Sequence, residues 1–159
     1  MPKKRRIIGI DPGLACTGWG VIEYTGGGIR YVEHGSIETQ AGYPRAERLL
    51  IILRSLKQIL ENFNPNEAAI ETLYFGRNVS SAIPVAEARG VISAALAERG
   101  LAVKEFTPNA IKQGVTGVIK ADKAQIQQMV RIILGIPDIP KPDHAADALA
   151  AAICAVYCK

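Results

Sequence analysis

The chain has 159 residues, of which 48% are hydrophobic and 21% are charged, and this balance excludes an intrinsically disordered protein. The net charge of +4 does not by itself indicate a nucleic-acid partner. The length favours one domain over residues 1–159. No signal-peptide pattern follows the basic start, and we expect the apolar stretches to be too short, or too diluted by Gly and Ala, to cross a membrane.

The cysteines indicate a reducing compartment. Cys16, Cys154 and Cys158 are an odd number and contain no Cys-x-x-Cys pair. Free thiols of this kind are typical of cytoplasmic proteins. The sequence therefore predicts a cytoplasmic location and no disulfide framework.

Three strand patterns open the chain. The first, "RRIIGID", ends at Asp11. The next two, "TGWGVIEY" and "GIRYVEHGSIET", alternate apolar and polar residues and are separated by Gly26, Gly27 and Gly28. Short glycine-marked turns between such runs predict an antiparallel meander.

Helices and strands alternate in the middle of the chain. Leucine and isoleucine at helical spacing predict a helix over residues 45–62, and "EAAIE" is a short buried strand that ends at Glu71. A second helix is expected from Ser80 or Ser81 to Arg99, because Pro84 is tolerated best near a helix start. "LAVKEFT" is the fifth strand.

Helical patterns complete the chain. One surrounds Ile111 and is followed by a glycine-containing loop, "QGVTGVIKADK". Asp122 is expected to cap a helix that ends before Gly135, and Asp143 to cap a last, Ala-rich helix over residues 144–157. The order predicts an α/β fold, a mixed five-stranded sheet with three antiparallel strands then two parallel, flanked by helices.

Carboxylates end two of the buried strands. Asp11 in Asp-Pro-Gly is typical of a turn when taken alone, whereas Glu71 is a poor turn residue. His144 and Asp147 lie three residues apart on one face of the last helix, where the helix dipole alone could stabilise Asp147. Together the four side chains could hold two divalent ions, with carboxylates suiting Mg²⁺ or Mn²⁺.

Four segments in order, "IIGIDPGLACTGWGVI", "AAIETLYFGRN", "AEARGVI" and "HAADALAAAI", resemble the RuvC Holliday-junction resolvases, which are nucleases of the RNase H-like fold. The resemblance implies that Asp11, Glu71 and Asp147 are catalytic metal ligands and that His144 occupies the fourth position, where many relatives carry Asp. It implies two Mg²⁺ ions per subunit, replaceable by Mn²⁺. Asp11 would bridge both ions, Glu71 would complete one site, and His144 with Asp147 the other.

The resemblance also implies partners and DNA contacts. Four-way junction DNA would be the substrate, the helix over residues 81–99 would pair two copies into a homodimer, and a branch-migration helicase would join the complex. Of the two loop aromatics, the one at position 74 is favoured for opening base pairs. The residues expected to approach DNA are Tyr74, Phe75, Arg77, Lys112, Lys120 and Lys123.

Two other functions fit parts of the sequence. An actin-like nucleotide-binding domain would also begin with a hairpin rich in Asp and Gly, but such proteins need two domains of this kind. A catalytically silent, junction-binding relative is the second alternative, suggested by His144 in place of Asp.

Overall fold

The computed structural model describes residues 2–72 and 79–158. Five strands and five helices lie in these ranges. The strands are β1 (Arg5–Asp11), β2 (Cys16–Thr25), β3 (Gly28–Glu38), β4 (Glu67–Glu71) and β5 (Ala102–Phe106). The helices are α1 (Arg45–Phe63), α2 (Val79–Glu98), α3 (Pro108–Thr116), α4 (Lys123–Leu134) and α5 (Asp143–Tyr157).

The strands form one mixed sheet in the order β3-β2-β1-β4-β5. β1, β2 and β3 pair antiparallel, as the glycine-marked turns predict. β4 and β5 add in parallel, with Ile10 opposite Ile70 and Glu71 opposite Phe106. The predicted sheet of three antiparallel strands followed by two parallel strands is confirmed.

Alternate residues of the strands face two separate cores. Ile7 and Ile22 point to the face covered by α3, α4 and α5. Ile8 and Ile70 point to the opposite face, which α1 and α2 cover. This alternation follows from the two-residue period of a strand, and it explains why β1 reads as a continuous apolar run.

Glycines let α5 approach the sheet closely. A Cβ atom on Gly9 would lie 1.8 Å from the carbonyl oxygen of Ala148, and one on Gly18 would lie 2.1 Å from that of His144. No side chain fits in such a gap. The backbone of α5 therefore rests directly on β1 and β2.

Some helix ends match the prediction and others differ. The Asp122 side chain accepts from the Gln125 N–H in a capping box, and Gly135 ends α4 with φ of 64°. The predicted loop over residues 113–123 is wrong in its first part, because α3 continues to Thr116 and ends at Gly117. Pro84 lies inside α2, whose described part runs from Val79 to Glu98.

The basic start of the chain forms ion pairs. Lys4 and Arg6 lie 2.5 Å and 2.9 Å from the carboxylate of Glu23, which is only 3% exposed. Arg5 contacts Glu67 at 2.6 Å. These cations neutralise acids on β2 and β4, so their role is to stabilise the sheet.

α2 meets a length and composition criterion for a membrane span. A single helix of this kind is weak evidence, since core helices of soluble proteins meet the same criterion.

Gly9→Ala is expected to destabilise the fold by ~1–3 kcal/mol, the usual cost of overpacking a core, because the new methyl group would displace α5. Chemical unfolding measures this free energy. Gly27→Ala is the matched control: a Cβ there meets nothing within 4 Å, and its effect should stay within about 0.5 kcal/mol. Equal effects of both substitutions would contradict the close contact at Gly9.

Candidate active site

The four candidate ligands lie at one edge of the sheet. Asp11 ends β1 and Glu71 ends β4, and these two strands are parallel neighbours. The carboxyl ends of parallel strands meet at the same edge, which is where open α/β sheets bind ligands. The first turn of α5 brings His144 and Asp147 to the same edge.

Three of the four side chains form a tight group. Asp11, His144 and Asp147 each offer a ligand atom within 4.8 Å of the others. A hydrogen bond of 2.8 Å joins Nδ1 of His144 to Oδ2 of Asp11. If Asp11 is ionised it can only accept, so Nδ1 then carries the hydrogen, and in a neutral imidazole Nε2 is the nitrogen with a free lone pair.

Glu71 lies outside this group but shares its electrostatic field. Burial raises the pKa of Glu71, and the charges of Asp11 and Asp147 raise it further. The charge of Lys112 opposes this rise in pKa. Glu71 is therefore close enough to both carboxylates to be repelled by them.

The surroundings also disfavour the charged forms of the other two acids. Burial raises the pKa of Asp11, and the hydrogen bond with His144 partly offsets that rise. Burial and the Asp11 charge raise the pKa of Asp147, while Lys123 lowers it. At Asp147, desolvation and like-charge repulsion both raise the pKa, as they do at many functional sites.

A cleft of about 280 Å³ opens beside the acids. Glu71 and Asp147 line it together with Lys112 of α3 and Lys123 at the start of α4. The Nζ atom of Lys123 lies 3.7 Å from Oδ2 of Asp147. The two lysines therefore stand at the rim of the acidic group, whereas Lys120 is exposed in the α3–α4 connection and does not line this cleft.

Asp143 has a different position from the one predicted. It is the first residue of α5, and Pro142 occupies the N-cap without a side-chain cap bond. The Asp143 carboxylate instead accepts from Nε2 of Gln127 at 3.2 Å and lies 3.5 Å from Nζ of Lys123. The extended backbone at Pro142 shifts the helix start by one residue, so the Asp143 side chain turns to α4.

The remaining predicted residues fall outside the described ranges. Tyr74, Phe75 and Arg77 belong to residues 73–78. Sequence reasoning also missed one residue that touches the site: Arg89 of α2 hydrogen-bonds the backbone carbonyl of Glu71. Its segment, "AEARGVI", carries no local signal of such a contact.

The donor set fits a hard divalent cation. Carboxylate oxygens with one imidazole suit Mg²⁺ or Mn²⁺, and imidazole weights the set toward Mn²⁺. A cation would also relieve the repulsion that raises the pKa values of Glu71 and Asp147 and would offset the burial of the Asp11 charge. The residues present therefore fit a divalent cation.

Sequence comparison identifies the family. The family model described as "Crossover junction endodeoxyribonuclease RuvC" matches residues 7–155. This chain belongs to the RuvC family. The RuvC of Treponema denticola is 52% identical over 92% of this chain and 83% of its own length. The RuvC of Chloroflexus aggregans is 51% identical over 96% of this chain and 93% of its own length.

Solved structures agree with this assignment to RuvC. Thermus thermophilus RuvC in complex with a Holliday junction substrate superposes with a TM-score of 0.91 at 33% identity, covering 96% of this chain and 93% of that one. The yeast mitochondrial Holliday junction resolvase, at 14% identity and a TM-score of 0.66, shares the fold. The predicted RNase H-like fold is confirmed.

Asp11→Asn is expected to stabilise the metal-free protein at neutral pH. The carboxyl group of Asp11 has a higher pKa in the folded state than in the unfolded state. It therefore lowers the free energy of unfolding as the pH rises above about 4, and it has no such effect at lower pH. The advantage of the variant should therefore shrink as the pH falls toward about 4. Urea unfolding in EDTA across this range measures it.

Metal should make the wild type more stable than Asp11→Asn. Mg²⁺ at 100 times its Kd would stabilise the wild type by about 2.7 kcal/mol, and Asp11→Asn should lose most of this increment. Asp138→Asn, at an exposed position outside the acidic group, is the matched control and should keep it. An identical response of all three proteins to Mg²⁺ would contradict a metal site at Asp11.

Proposed function

We propose that this protein is a divalent-metal-dependent endonuclease that resolves four-way DNA junctions, with a role in recombination and repair. It hydrolyses paired phosphodiester bonds and leaves 5′-phosphate and 3′-hydroxyl ends. The observation that carries the proposal is the convergence of Asp11, His144 and Asp147 within 4.8 Å at the strand ends of a RuvC-family sheet. The Thermus RuvC bound to a Holliday junction substrate supports the choice of DNA structure.

Asp11, Glu71, His144 and Asp147 are the proposed catalytic and metal-binding residues. Two Mg²⁺ ions, or Mn²⁺ in their place, would lower the pKa of a water nucleophile and stabilise the leaving oxygen. The protein's own part is to hold the carboxylates together at one edge of the sheet. The Asp11–His144 hydrogen bond orients both side chains.

The lysines at the rim of the cleft are proposed to receive the DNA backbone. Lys112 and Lys123 line the same cleft as Glu71 and Asp147, so a phosphate that reaches the acids passes both ammonium groups. Lys120 is exposed nearby along the chain and would add a peripheral phosphate contact. Tyr74, Phe75 and Arg77 are proposed to act on the bases at the junction centre, as the family resemblance implies.

A homodimer would match the two-fold symmetry of junction cleavage. α2 is the proposed contact, since Val79 and Ile83 are 56% and 46% exposed on a helix that also packs into the core. A branch-migration helicase is the proposed further partner. The free thiols of Cys16, Cys154 and Cys158 suit a cytoplasmic location.

The decisive experiment compares a labelled immobile four-way junction with a linear duplex in Mg²⁺, Mn²⁺ or EDTA. We expect metal-dependent paired nicks in the junction alone. Asp11→Asn should lower the cleavage rate by at least 10³-fold while a mobility-shift assay shows junction affinity unchanged. Tight binding without cleavage in either metal would favour the silent relative, and nucleotide binding without junction binding would favour the actin-like alternative.

The imidazole of His144 is expected to influence which metal ion supports cleavage. Replacing imidazole by a carboxylate favours the harder ion, so His144→Asp should raise the ratio of the Mg²⁺ rate to the Mn²⁺ rate. Steady-state cleavage in each metal measures this ratio. His34→Asp, on β3 and outside the acidic group, controls for the added charge. An unchanged ratio in His144→Asp would contradict a metal contact at this residue.

A further inference from the structure

Arg89 joins α2 to the strand end that carries Glu71. Its side chain is only 15% exposed. Nη1 donates to the backbone carbonyl oxygen of Glu71 at 2.5 Å, and Nη2 pairs with the carboxylate of Glu105 on β5. One guanidinium therefore ties α2 to two neighbouring strands just below the acidic group.

The carbonyl of Glu71 lies where the sheet has no donor for it. Ile10 pairs with Ile70 in the parallel β1–β4 ladder, and continuing that ladder by one bond would require the N–H of residue 12. Residue 12 is proline and has no N–H. Arg89 supplies the missing hydrogen bond to a carbonyl that would otherwise be costly to bury.

A second hydrogen bond holds the backbone just after Glu71. On the other side, the Thr72 N–H donates to the carbonyl of Phe106 at 2.8 Å, which holds the next residue to β5. Both bonds hold the backbone around the Glu71 carbonyl, and the Glu71 side chain there feels the charges of Asp11 and Asp147. Loss of either bond frees the end of β4 to rotate.

We infer that Arg89 is a positioning residue for Glu71 that strengthens metal binding without touching the metal. The inference rests on the proposed metal-dependent function of the acidic group. Partners that orient a metal ligand commonly change metal affinity or activity 10–100-fold when removed. Lysine cannot replace the arginine fully, since a single ammonium cannot reproduce the planar fork that reaches both acceptors.

The test measures metal affinity and cleavage in Arg89→Met and Arg89→Lys. Calorimetric titration of Mn²⁺ into the DNA-free protein should give a Kd raised about 10–100-fold in Arg89→Met. The Mg²⁺ concentration for half-maximal junction cleavage should rise equally. Arg89→Lys should fall between wild type and Arg89→Met, and junction affinity in EDTA should stay within about twofold in both.

Arg45→Met is the matched control. Arg45 also contacts α2, through Glu87 at 2.9 Å, but on the exposed surface. It should leave Mn²⁺ affinity unchanged. Wild-type Mn²⁺ affinity in a folded Arg89→Met or Arg89→Lys, even with a lower melting temperature, would overturn the inference. Failure of the wild type to cleave junctions would instead overturn the proposed function, and the Mn²⁺ titration would still decide the role of Arg89.

Discussion

The direct contact between the backbone of α5 and the glycines of β1 and β2 determines where the site forms. A Cβ on Gly9 or Gly18 would collide with the carbonyls of Ala148 and His144. The many alanines of α5 complete this approach, because their short side chains keep the helix axis near the sheet. Once α5 rests there, its first turn must lie over the end of β1. The 2.8 Å hydrogen bond between His144 and Asp11 is a consequence of helix-on-sheet packing, so the ligands stand on rigid elements.

That rigidity has an electrostatic cost. Burial raises the pKa values of Asp11, Glu71 and Asp147, and repulsion by neighbouring carboxylates raises those of Glu71 and Asp147 further, so the site destabilises the fold while it has no cation. Lys112 and Lys123 offset only part of this. By contrast, Glu23 is more deeply buried than these acids and is neutralised by three cations within 3 Å. Glu23 is thus a structural acid whose charge is compensated, whereas the charges of the strand-end acids stay available for a ligand.

The sequence predicts the sheet, the strand ends and the ligand-bearing turn because each depends on a local pattern. Alternation identifies β2 and β3, and an acid after an apolar run identifies the ends of β1 and β4. The failures have non-local causes. Asp143 has the right residue type for a cap, but Pro142 takes that position and α4 offers Gln127 and Lys123 as partners. Arg89 escapes prediction because its acceptor is a backbone carbonyl 18 residues away, and the periodicity of α2 gives no sign of it.

The turn after β1 explains why the two strand-end acids are held differently. In Asp-Pro-Gly, Asp11 faces α5 and is fixed by His144, while Pro12 ends the β1–β4 ladder and leaves the Glu71 carbonyl to Arg89. One ligand is thus held from the α5 side of the sheet and the other from the α2 side.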